Sequence, residues 1–108
     1  MPWLILVPET APTLDLLDLP NDARNLAMDE AVIAAHFIRV EFGTSKINFA
    51  AIGNIVSQLH LHVVGRRAND PYWPAPVWGT VVEATGYSAA RIAMLTATLI
   101  QNHSLKTY

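Results

Sequence analysis

Two histidines lie two residues apart in the stretch QLHLHVVGR, residues 58–66, whose other residues are mostly apolar, as in a buried strand. Side chains alternate between the two faces of a strand, so we expect Gln58, His60 and His62 on one face. A neutral imidazole near pH 7 serves as a nucleophile, a general base or a metal ligand. Such a row suits one extended polyanionic ligand, and the alternative is a satisfied structural pair.

Polar groups in the preceding segment favour an anion site. Asn48 is polar among the apolar residues of KINFAAI, residues 46–52, and the turn signal Gly53-Asn54 follows directly. Turns of this kind point backbone N–H groups at anions. We therefore expect Asn48, Gly53 and Asn54 to lie near the histidines, and a plain hairpin turn is the alternative interpretation of Gly53 and Asn54.

The composition narrows the class of protein. The chain has 108 residues, which suits a single domain spanning 1–108. Hydrophobic residues make up 52% and charged residues 15%, so the chain can form a core, and its low charge indicates a surface covered by a second copy. A net charge of -2 argues against nucleic-acid binding. The absence of cysteine excludes disulfides, thiolate metal sites and cysteine nucleophiles.

The elements that must position these residues follow from periodicity and turn signals. We predict strands at 3–7, 46–52 and 58–64, and helices at about 21–42 and 89–102. Asn21 and Ser88 are the expected N-caps, and Gly43 is the expected stop of the first helix. The first strand is continuously apolar, so we expect it to be buried on both faces. It is too short to span a bilayer, so we expect a cytoplasmic protein without membrane contact. The order of elements predicts an α+β fold.

QLHLHVVGR resembles the signature of the histidine-triad (HIT) superfamily, in which three histidines alternate with apolar residues. The segments KINFAAIGN and RRANDPYWPAPVWG resemble a bacterial branch in which the first histidine is glutamine, and PWLILVP resembles an early sheet strand of that branch. The resemblance extends from about Pro2 to Gly79. It implies a HIT-like antiparallel sheet with two helices, without the N-terminal part of the usual domain.

The resemblance also implies a chemistry. Proteins of this superfamily are nucleotide hydrolases and transferases, in which the middle histidine attacks an α-phosphorus and forms a nucleotidyl-histidine intermediate. The middle position here is His60, and His62 matches the histidine beside the phosphate. Asn48 matches an amide residue that contacts phosphate, and Asn54, next to Gly53, falls near the phosphate-binding loop. The scheme needs no metal or cofactor, and the family habit is a homodimer.

Two alternatives stay open. Gln58 stands where the family has its first histidine and cannot carry the same proton, so one alternative is a nucleotide-binding or regulatory module without turnover. The other takes His60 and His62 as metal ligands and needs a third ligand. The candidates for that third ligand are Asp70, His36 and His103.

Several charged and polar residues are interpreted as structural. Arg66 and Arg67 follow the predicted histidine strand, and we expect them to be solvated charges rather than phosphate ligands. Asp70 precedes a proline and is expected to be a turn residue. His36 and His103 lie on the predicted helices and are expected to have structural roles.

Overall fold

Strands and helices follow one another along the chain in the predicted order. The computed structural model describes residues 1–79 and 89–103, and within the last helix the side chains of residues 90–98. The elements are β1 (Trp3–Leu6), a short 3-10 helix (Leu16–Asp18), α1 (Asn21–Phe42), β2 (Lys46–Ala51), β3 (Leu61–Arg66) and α2 (Ala89–His103). The three strands form an antiparallel sheet in the order β1–β3–β2. The predicted α+β fold, with one antiparallel sheet and two helices, is confirmed.

The chain divides into two compact units, Met1–Pro76 and Val77–Tyr108. The first unit contains the sheet, α1 and both histidines of the QLHLHVVGR stretch. The second contains α2, which ends one residue beyond the prediction. The single domain expected over 1–108 stays a prediction.

The central strand β3 is buried along its whole length. Gly65 shows how closely α1 and the first residues approach it. A Cβ atom at Gly65 would lie 2.5 Å from Ile38 Cγ2, 2.7 Å from Thr44 Cγ2 and 2.8 Å from Pro2 Cγ. These distances leave no room for a side chain, so the close packing of one face of β3 depends on glycine at this position.

β1 lies at an edge of the sheet, which contradicts the prediction of burial on both faces. Its residues alternate between exposed and half-buried, and Ile5 is 55% exposed. The apolar run does not separate an edge strand from a central one, because both accept apolar side chains. Among the described strands, β1 pairs with β3 alone, which places it at the edge.

α1 begins and ends where the periodicity predicts. Gly43 adopts the left-handed conformation at φ 61°, and its N–H donates to the Arg39 carbonyl, which is the expected stop. The N-cap prediction is wrong by one residue, because Pro20 caps the helix and Asn21 is its first residue.

The face of α1 that packs inward consists mainly of small residues: Ala27, Ala31, Ala34, Phe37 and Ile38. Leu26 and Val40 of the same helix are exposed.

A buried cluster holds the segment that leads into β3. Leu59 is 2% exposed and packs with Leu19, Ala27 and Leu61. The cluster anchors the chain on both sides of His60, so the position of that histidine is set by apolar packing rather than by strand pairing.

Several of the described side chains of α2 are exposed. Ile92 is 50% exposed and Ala93 is exposed, while Leu95 is half-buried. The side chain of Leu99 is not among those described, and the predicted N-cap Ser88 lies outside the described residues.

Within the described part of the chain, no helix has both the length and the apolar character to cross a membrane. The cytoplasmic location stays a prediction.

Candidate functional site

The two histidines of interest lie on either side of the first residue of β3. The prediction that the strand runs from Gln58 is wrong, because β3 begins at Leu61. Its pairing with β2 ends at Ala51 and Leu61, and the N–H of Leu59 donates to the carbonyl of Thr13 instead. Gln58 and His60 therefore precede the strand, and only His62 is held in the sheet.

The histidines are close despite this difference. The ring centroids of His60 and His62 are 5.0 Å apart, with an edge-to-face angle of 70°. His60 is half-buried, and His62 is 8% exposed. The structure thus brings together the two imidazoles that the sequence predicts as a pair, and His60 is the less buried of the two.

His60 is held through one of its ring nitrogens. Its Nδ1 lies 2.7 Å from the backbone carbonyl of Gln58. A carbonyl only accepts, so Nδ1 carries the proton, and Nε2 of the neutral ring carries the lone pair. The Gln58 backbone makes this contact, so the orientation of His60 does not depend on the glutamine side chain.

His62 is held on the opposite side of the pair. The indole Nε1 of Trp3 donates to His62 Nδ1 at 2.9 Å, and the two rings meet edge to face with centroids 5.6 Å apart. Burial, followed by the charge of a protonated His60, lowers the pKa of His62 below its ordinary value. This lowering of the pKa favours the neutral form of His62.

Asn48 lies on the same sheet face as His62. It pairs with Val64, while Ala50 pairs with His62, and directly paired residues share a face. Its side-chain Oδ1 accepts a hydrogen bond from Arg66 Nη1 at 2.9 Å. Because a guanidinium only donates, this bond fixes the amide so that Nδ2, the donor, points away from Arg66.

Arg66 is not the solvated charge that the sequence suggested. It is 1% exposed and forms a bidentate pair with Asp70, with Nε–Oδ2 at 2.7 Å and Nη2–Oδ1 at 3.0 Å. Its guanidinium also lies 5.7 Å from the ring centroid of Trp73. The sequence places Arg66 directly after an apolar strand, but its burial follows from the turn that folds Asp70 back onto it.

Asp70 organises that turn, as predicted. It accepts from the backbone N–H groups of Tyr72 at 3.0 Å and Arg67 at 3.3 Å, besides the Arg66 pair. The hydrogen bond from Arg66 holds the pKa of Asp70 well below its ordinary value, against the opposing effect of burial, and the backbone donors add to it. The side chain of Arg67 is exposed and donates to the Phe42 carbonyl.

The loop between β2 and β3 brings one of its two predicted residues to His60. A small open depression beside His60 is lined by Leu14, Asp15, Ala51, Ile52, Gly53 and Leu59. Gly53 has φ 62°, a conformation that favours glycine. Asn54 is exposed and does not line this depression.

Among the side chains that the structure describes, none supplies the third metal ligand that the alternative requires. Asp70 is bound to Arg66, and His36 is exposed on α1. The side chain of His103 lies outside those that the structure describes. Among the described residues, no three histidine, cysteine or acidic side chains come together as a metal site.

Trp3 is the contact residue that sequence reasoning missed. In the sequence it reads only as an apolar strand residue. Its contact with His62 depends on the register of β1 against β3, in which Ile5 pairs with His62 and Trp3 with Val64. No local signal in the sequence specifies that register across 59 residues.

The chain is similar to known histidine triad proteins. Residues 1–69 match the family model described as HIT domain. A histidine triad (HIT) protein from Sinorhizobium meliloti 1021 is 38% identical, with a TM-score of 0.83 over 94% of this chain and 74% of that one. Histidine triad proteins from Bradyrhizobium japonicum (33% identity, TM-score 0.82) and Marinobacter aquaeolei VT8 (35%, 0.83) each match over 93% of this chain and 74% of theirs. No curated protein gives a significant match.

Proposed function

The chain belongs to the HIT domain family, and on that premise we propose that it is a nucleotide hydrolase or nucleotidyl transferase. The proposed substrate is a nucleoside polyphosphate, a dinucleoside polyphosphate or a phosphoramidate, attacked at its α-phosphorus. The observation that carries the proposal is the 2.7 Å contact between His60 Nδ1 and the Gln58 carbonyl, because a carbonyl only accepts and Nε2 of the neutral ring then holds a lone pair.

His60 acts as the nucleophile in two displacements. In the first, Nε2 forms a bond to the α-phosphorus while the bond from phosphorus to the leaving group breaks, and the leaving group takes up a proton. In the second, water attacks the same phosphorus, loses a proton, and the bond between phosphorus and nitrogen breaks. The ring is positively charged between the two steps, and the Gln58 carbonyl stabilises it by accepting from Nδ1–H.

In this scheme neutral donors contact the phosphate, and the buried cation Arg66 does not. His62, whose neutral form burial favours, serves beside the phosphate, and Asn48 offers its amide nitrogen from the same sheet face. The backbone at Gly53 borders the depression beside His60 and is the proposed phosphate cradle, with Asn54 next to it. Arg66 has no part in binding phosphate, because Asp70 neutralises it.

Intact-mass measurement tests the proposal. Wild-type protein mixed with adenosine phosphoramidate or diadenosine polyphosphate is expected to gain the mass of one adenylyl group, and His60→Ala is expected to gain none. His36→Ala is the matched control, because it removes an exposed imidazole on α1. An adduct that persists in His60→Ala, or none in wild type under conditions that allow nucleotide binding, would contradict the proposed enzyme.

A binding or regulatory module is the second candidate, and Gln58 at the first triad position is the observation in its favour. This candidate expects wild type and His60→Ala to bind a nucleotide equally and to be equally inert. Isothermal titration alongside the mass measurement separates the two functions, since only the enzyme forms an adduct.

We also propose a homodimer. The support is the low charge content and the exposed apolar side chains of α1, where Leu26, Val32 and Val40 are each at least 59% exposed. Light scattering is expected to give twice the chain mass for wild type and a shift towards monomer for Val32→Glu. A monomeric wild type at micromolar concentration would contradict this proposal.

A further inference from the structure

The hydrogen bond between Trp3 and His62 has a defined direction. An indole N–H is a donor and has no acceptor site, so at 2.9 Å the Nδ1 of His62 must accept. An accepting Nδ1 carries no proton. Any neutral imidazole has one proton on its two ring nitrogens, so in His62 that proton lies on Nε2.

We propose that Trp3 is a positioning residue that fixes the tautomer and ring orientation of His62, so that His62 presents Nε2–H as a donor to the phosphate or the leaving group. The effect of Trp3 on the reaction rests on the proposed function. The tautomer of His62 does not depend on that function. Whatever His62 Nε2 contacts, it contacts as a donor.

The two histidines then have opposite tautomers. The Gln58 carbonyl accepts from Nδ1 of His60, and the Trp3 indole donates to Nδ1 of His62. His60 consequently offers a lone pair at Nε2 and His62 offers a proton at Nε2. The ring centroids are only 5.0 Å apart, so the same residue type supplies a nucleophile and a donor at neighbouring positions.

The position of Trp3 suits this role. β1 places its side chain on the face of His62, one pair further along the sheet, and the ring packs edge to face on the imidazole. The contact is therefore both a packing contact and a hydrogen bond. Trp3→Phe separates the two, because phenylalanine keeps an aromatic ring and removes the N–H donor.

Nuclear magnetic resonance of the ¹⁵N-labelled full chain tests the tautomer without any substrate. In wild type, long-range ¹H–¹⁵N correlations are expected to show His62 with an unprotonated Nδ1 and a protonated Nε2, and His60 with the reverse. A scalar coupling between the Trp3 and His62 nitrogens across the hydrogen bond is expected as well. A protonated Nδ1 in His62 would overturn the inference, whether or not any variant folds.

Trp3→Phe is expected to make the Nδ1-protonated form of His62 detectable and to slow adduct formation about tenfold, the size expected for one neutral hydrogen bond. Trp73→Phe is the matched control, because it makes the same chemical change in a ring that lies over Arg66. His62 nitrogen shifts that are unchanged in Trp3→Phe would also overturn the inference.

The two proposals fail in different ways. If wild type shows the expected tautomers but forms no adduct, the proposed function fails and the tautomer assignment stands. If His60 forms the adduct while His62 lacks the expected tautomer, the role of Trp3 fails and the proposed function stands.

Discussion

The two ends of β3 hold polar side chains in different ways. At its start and just before it, His62 and His60 are each held at Nδ1. The Gln58 carbonyl accepts from His60, and the Trp3 indole donates to His62. At its end, Arg66 is held through Nε, Nη1 and Nη2 by Asp70 and Asn48. The imidazoles have a defined proton position at Nε2, whereas the guanidinium has its charge neutralised inside the protein.

We therefore expect one end of β3 to serve the proposed reaction and the other end to stabilise the fold. A buried guanidinium paired with a carboxylate resists rearrangement, because removing either partner leaves an uncompensated charge. It cannot serve a second anion without breaking that pair. The histidines carry the proposed chemistry, so changes at that end are expected to alter reaction rates. Changes at the arginine end are expected to alter the free energy of unfolding.

The largest effect is expected for His60→Ala. Loss of the nucleophile should slow hydrolysis of the substrate by about a thousandfold or more. The free energy of unfolding should change little, since His60 is half-buried and precedes the strand. Stopped-quench kinetics and urea denaturation measure the two quantities. A large loss of stability with an unchanged rate would reverse the assignment of this end of β3 to chemistry.

Arg66→Ala is expected to cost about 3 kcal/mol of folding free energy, because it leaves Asp70 without its buried partner. Arg67→Ala, one residue further along the chain, removes an exposed charge and should cost less than about 1 kcal/mol. Urea denaturation of the two variants gives the comparison directly. Equal losses would show that the buried ion pair contributes no more to the free energy of unfolding than an exposed charge does.

The arginine end should also give the protein a dependence on acid. The folded-state pKa of Asp70 lies below its ordinary value of about 3.9, so the carboxylate stabilises the fold at every pH above that value. About 2 kcal/mol should be lost as the pH falls from about 4 towards the folded-state pKa. Asp70→Asn should lack this component, and identical slopes of stability against pH in both proteins would contradict the assignment.

Much of the fold could be predicted because it depends on local patterns. α1 follows from a helical period of apolar residues that ends at Gly43, and both bounds were correct within one residue. The start of β3 could not be read in the same way. The alternation of QLHLHVV is compatible with pairing that begins at Gln58 or at Leu61, and the choice is made by Leu59, which bonds to Thr13 and packs under α1.

In the candidate site, too, the features that depend on local sequence could be predicted and those that depend on distant contacts could not. His60 and His62 were predictable as a pair because their spacing is local. The partners that define their protons, Trp3 and the Gln58 carbonyl, were not: one contact spans 59 residues and the other involves a backbone atom common to every residue. Arg66 was misread for a related reason, since the sequence shows Asp70 four residues away but not that the turn buries both.

The smallest effect is expected for Gln58→Ala. Gln58→Ala changes only the side chain at this position. The backbone carbonyl that accepts from His60 Nδ1 is retained. We expect adduct formation within about threefold of wild type, well below the effect of losing one hydrogen bond. The imidazole nitrogen shifts of His60 should be unchanged in the same variant. A loss approaching that of His60→Ala would show that the glutamine side chain takes part in the reaction, and the histidine end of β3 would then depend on three side chains.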